Sequence, residues 1–115
     1  QKAYDITTNL LQAHPDLKGI VCANDVMALA SVAAIEDKGK EGQVMVVGID
    51  FIAQAKEAII SGRLAGSVAQ APFIIGELCS RAAVKAAAGE TIPKALYIPP
   101  VLVTEENVNE FADWK

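Results

Sequence analysis

Two cysteines, one histidine and one tryptophan leave this 115-residue chain short of the groups on which much protein chemistry depends. Cys22 and Cys79 show no C-x-x-C spacing and no histidine pattern accompanies them, so the usual zinc arrangements are excluded. Each falls in an apolar segment and reads as a small buried hydrophobe, with a disulfide between them left open. His14 precedes Pro15 in a helix-ending turn, a place for a solvated or structural side chain. Ser31, Ser61, Ser67 and Ser80 have no histidine partner in any recognisable pattern, so nucleophilic catalysis has no support. No G-x-G-x-x-G or P-loop run is present, and the pattern gives no cofactor and no metal site. The residues point to a binding site and not to an enzyme.

Positive charge is also scarce. A net charge of −4, with Lys and Arg scattered, argues against a nucleic-acid partner. No apolar run approaches the roughly 18 to 20 residues of a membrane span, so direct membrane insertion is not expected, and the first residues do not form a secretion signal. Hydrophobic residues make up 52% of the chain, enough for one domain with a core of useful size.

What is there is a repeated cycle. Apolar residues Tyr4, Ile6, Leu10 and Leu11 recur at helical spacing over Lys2 to Ala13, and Pro15 closes the segment. Ile20 and Val21 mark a short buried strand within Leu17 to Ala23. A helix follows over Asp25 to Lys38, with Gly39 as its stop. The β-branched run VMVVGI over Val44 to Ile49 predicts the next strand, Ala53 to Ser61 a helix, and Leu64 to Ala69 a weaker strand. Pro72 sits well in the first turn of a helix over Phe73 to Ala88 that ends at Gly89. Three prolines stiffen Thr91 to Pro100, a short strand follows at Val101 to Val103, and Thr104-Glu105-Glu106 suits the cap of a final short helix. Trp114, near the end of the chain, suits the cover of a hydrophobic patch. Alternation of this kind gives an α/β fold, a parallel sheet with helices on both faces.

Three strand-like runs end on polar residues: GIVCA at Asn24, VMVVGI at Asp50 and AGSVA at Gln70. Parallel strands would bring these to one edge, the edge where open α/β sheets bind small molecules. An amide, a carboxylate and an amide are suited to grip hydroxyls, which both donate and accept. Each has a plain structural alternative. Asn24 and Asp50 suit helix N-caps, with Asp25 able to replace Asn24 in that role, and Gln70 suits a turn.

The stretches AHPDLKGIVCANDVMALA, VMVVGID and SGRLAGSVAQAP, with the ending IPPVLVTEENV, resemble the carboxyl-terminal lobe of the ribose-binding-protein family, periplasmic sugar receptors of ABC transporters (periplasmic binding protein type I). The resemblance covers nearly the whole chain. It implies a monosaccharide ligand, ribose-like pentose or hexose, contacted by Asn24, Asp50 and Gln70, with a transporter permease as partner and a periplasmic or extracytoplasmic location. It also implies an incomplete lobe, one that starts at its second helix. On this reading residues 1–70 are part of the carboxyl-terminal sugar-binding lobe, 71–99 cross over to pack on the amino-terminal lobe, and 100–115 return. The effector domain of a lactose-repressor-type transcription regulator is the alternative, because its ANDxMA and VVGxD segments are similar.

Two further expectations follow. The helix at Phe73 to Ala88 carries apolar residues around much of its circumference, more than one sheet face covers, so it needs the missing amino-terminal part or a second copy of the chain. Where relatives often have glycine or another small residue after the aspartate, this chain has Phe51, expected to pack over the helix beneath it in preference to entering the cleft.

Overall fold

The computed structural model describes residues 1–111. Its elements follow the order α1 (Lys2–Ala13), β1 (Gly19–Val21), α2 (Asp25–Asp37), β2 (Met45–Asp50), α3 (Ala53–Ile60), β3 (Gly66–Ala69), α4 (Pro72–Ala87), β4 (Val101–Val103) and a short 3-10 helix at Val108–Phe111. The expected α/β alternation with a parallel sheet is what folds. Trp114 lies outside the described residues. The chain divides into two compact units, Gln1–Ala69 with the chain from Leu102 onward, and Gln70–Val101.

The strands lie in the order β1-β2-β3-β4. β1 pairs with β2 and β2 with β3, both parallel, with Val21 opposite Val47 and Asp50 opposite Ala69. In a sheet built in sequential order, right-handed crossovers put α2 and α3 on one face, and the two helices touch. That face carries Val46, Gly48 and Ser67, all buried. On the other face Val21 and Met45 are 81% and 65% exposed.

The core lies between sheet and helices. Ala28, Val32 and Ile35 of α2 and Ala55, Ala58 and Ile59 of α3 meet Val46, Leu64 and Val103. α3 ends in a Schellman turn, with Arg63 N donating to Ala58 O and Gly62 N to Ile59 O, while Gly62 takes φ +72° at no steric cost. α2 and α4 end in the same way at Gly39 and Gly89.

Two details depart from the sequence reading. α1 buries Thr7 and Leu11, whereas Ile6 is 47% exposed. Thr7 gains its place because its hydroxyl donates to Ser31 Oγ at 2.9 Å, and Ser31 in turn donates to Met27 O. A satisfied hydroxyl can be buried in place of an apolar side chain. Cys79, read as buried, is exposed, because no residue of α4 is buried; Cys22 is buried, and both thiols are free.

Candidate functional site

β1 and β2 run parallel, so their carboxyl ends share an edge. Asn24 and Asp50 each stand three residues beyond the paired Val21 and Val47. Gln70 follows Ala69, the register partner of Asp50, and is the first residue of the second unit.

Asn24 caps α2. Its Oδ1 accepts from Met27 N at 2.9 Å, so the N-cap reading holds and Asp25 does not take that role. Capping uses the acceptor side of the amide only. Nδ2 has no acceptor among the described residues, which leaves Asn24 able to donate to a hydroxyl while it caps. Asp50 ends β2 and is exposed, and it is not a cap: the N-cap of α3 is Ile52. A carboxylate in this position can accept charge-assisted bonds, about twice as strong as neutral ones.

The backbone at this point is unusual. Asp50 and Phe51 have φ of 111° and 57°, two consecutive left-handed residues, neither a glycine. Each costs on the order of 1 to 3 kcal/mol, so the surroundings must hold them there. Phe51 is 5% exposed and meets Phe111 edge-on, with ring centroids 5.8 Å apart. It packs in the core, as expected. Such an aromatic pair adds roughly 0.5 to 1.5 kcal/mol beyond burial. Lys56 Nζ donates to Phe111 O at 2.7 Å and anchors the same 3-10 helix to α3.

Beneath the turn lies a buried polar pair that sequence reasoning missed. Asp25 and Ser67 are both wholly buried. Ser67 Oγ donates to Asp25 Oδ1 at 2.6 Å and accepts from Phe51 N at 3.0 Å, while Asp25 Oδ2 accepts from Ile52 N at 2.9 Å. Asp25 also stands in the first turn of α2, where a negative charge is favoured. Gly48 makes the room: a Cβ there would lie 2.2 Å from Asp25 Oδ1. A glycine inside a β-branched strand, VVGID, was the one local signal of such a close approach.

The chain is also similar to known proteins over most of its length. A family model for the periplasmic binding protein domain matches residues 1–91. The D-allose-binding periplasmic protein of Escherichia coli is 45% identical over 75 residues, 65% of this chain and 24% of that protein. A ribose import binding protein of Bacillus subtilis is 35% identical over 105 residues, 91% of this chain and 34% of that protein. An ABC transporter periplasmic solute binding protein of Actinobacillus succinogenes, solved with bound D-allose, superposes with a TM-score of 0.87 at 35% identity, over 94% of this chain and 38% of that one. The chain thus spans roughly a quarter to a third of the curated relatives it matches. An import binding protein and a transporter binding protein favour a transport receptor over the transcription-regulator alternative.

Proposed function

We propose a function from the premise that this chain belongs to the periplasmic binding protein family: it is part of the solute-binding component of a sugar ABC transporter. It holds a monosaccharide, a ribose-like pentose or a hexose, against the carboxyl edge of its sheet. Asp50 accepts from sugar hydroxyls, Asn24 donates through Nδ2, and Gln70 contributes an amide from the start of the crossover. The observation that carries this reading is the placement of Asp50 beside Asn24 at adjacent parallel strand ends, in a chain whose relatives are named for allose and ribose.

One sheet edge cannot enclose a sugar. Each hydroxyl that loses water needs a partner, since an unpaired buried polar group costs about 1 to 3 kcal/mol. The remaining partners come from the rest of the receptor or from a second copy of the chain. Residues 1–70 act as part of one lobe, 71–99 pack on the other, and 100–115 return. Closure of the lobes about the sugar presents the surface that the permease recognises, outside the cytoplasm.

The test is calorimetry on the full-length protein that contains this sequence, with D-ribose and D-allose. Asp50→Ala should weaken binding roughly 10- to 100-fold, the worth of one or two charge-assisted bonds. Asn24→Asp keeps an N-cap oxygen but removes the Nδ2 donor, so affinity should fall while the unfolding midpoint stays put. Unchanged affinity in both variants would refute the site.

A further inference from the structure

We propose that the buried Asp25–Ser67 pair is the positioning element of the sugar site, holding Asp50 in its binding orientation through the amides of Phe51 and Ile52; this rests on the monosaccharide reading above. The chain has a problem to solve at this turn. Asp50 and Phe51 adopt left-handed φ values that neither residue prefers, and relaxation of either would swing the Asp50 carboxylate away from the edge. The two amides that follow Asp50 are both tied down from below: Phe51 N to Ser67 Oγ and Ile52 N to Asp25 Oδ2. Ser67 is itself fixed by donating to Asp25 Oδ1, so the three groups form one closed set.

The placement of the pair makes it more than a local fastening. Asp25 directly follows Asn24, and Ser67 lies on β3, opposite Gly48 in register and three residues before Gln70. One buried carboxylate and one hydroxyl therefore connect the ends of β1, β2 and β3, the segments that carry the three proposed contacts. Their burial keeps water from competing for the Phe51 and Ile52 amides, so the bonds hold the turn in one conformation. Asp25 and Ser67 touch no ligand in this account. They act through Asp50.

A double-mutant cycle on the full-length protein separates positioning from plain stability. D-ribose and D-allose affinities are measured by calorimetry for Ser67→Ala in the wild-type and Asp50→Ala backgrounds, with urea midpoints for all four proteins. Ser67→Ala should weaken binding about tenfold when Asp50 is present and less than about twofold when it is absent, while lowering the midpoint equally in both. Equal weakening in the two backgrounds, or none in either, would overturn the proposal. Asp25→Asn, run through the same cycle, decides the matter should the serine variant fail to fold. Wild-type protein that binds neither sugar would remove the monosaccharide reading itself, and the positioning role with it.

Discussion

The unit built on β1 to β3 and the unit that holds α4 are made of similar residues and behave as opposites. In the first, Ile59, Val103 and Ala28 have no exposed surface, and Val46 and Leu64 keep about 2%. In the second, α4 buries nothing: Phe73 is 85% exposed, Val84 71% and Ile74 51%. Apolar sequence alone does not make a core. The sheet provides a surface for α2 and α3, whereas among the described residues nothing buries the apolar side chains of α4.

The largest expected effect tests that difference directly. Ile59→Ala should cost about 2 to 5 kcal/mol in urea unfolding of this chain, because it empties a filled site. Phe73→Ala should change stability by less than about 0.5 kcal/mol in the same chain. In the full-length protein the same phenylalanine change should approach the roughly 3 to 5 kcal/mol of a buried aromatic. A Phe73 variant as stable as wild type in both settings would remove the case for a partner on α4.

Glycines sharpen the contrast. Gly48→Ala drives a Cβ into Asp25 and should cost about 1 to 3 kcal/mol, the scale of an overpacked core. Gly76→Ala in α4 meets nothing within 4 Å and should instead stabilise by about 0.5 to 1 kcal/mol, through helix propensity. Urea midpoints that move in the same direction would contradict the difference in packing.

The smallest effect concerns charge. Arg63 donates to both oxygens of Glu36, at 2.6 and 2.8 Å, and its hydrogen bonds hold the Glu36 carboxyl below its ordinary value of 4.5. A depressed carboxyl contributes stability that is complete above its unfolded value and lost as pH falls through the folded one. Both side chains are partly solvated, so Glu36→Gln should cost no more than about 1 kcal/mol at pH 7, and the gap from wild type should narrow as pH falls below the ordinary glutamate value of 4.5. In α4 the Glu77–Arg81 pair is a local i, i+4 contact and should matter less, about 0.3 to 0.5 kcal/mol. A Glu36 variant whose deficit grows on acidification would have the sign wrong.

Most of the architecture was legible in the residues, for local reasons. Runs such as VMVVGI and stops such as Gly39, Gly62 and Gly89 carry their meaning within a few positions. The same holds for Asn24 and Asp50, since parallel strands place such ends together. What escaped was non-local. The inward face of α1 depends on Thr7 meeting Ser31, 24 residues away, and the brace under Asp50 joins Asp25 to Ser67 across 42. Neither distance has a sequence period. Cys79 was misread for a related reason, because an apolar neighbourhood in sequence says nothing about whether a covering surface is present.

The most direct test of a sugar site completed from outside this chain is to titrate D-ribose and D-allose into this 115-residue chain and into the full-length protein under the same conditions. Heat of tight binding should appear only for the full-length protein, with the chain alone giving weak binding or none. Tight binding by the chain alone would contradict the claim that Asn24, Asp50 and Gln70 supply one side of an enclosure completed from elsewhere.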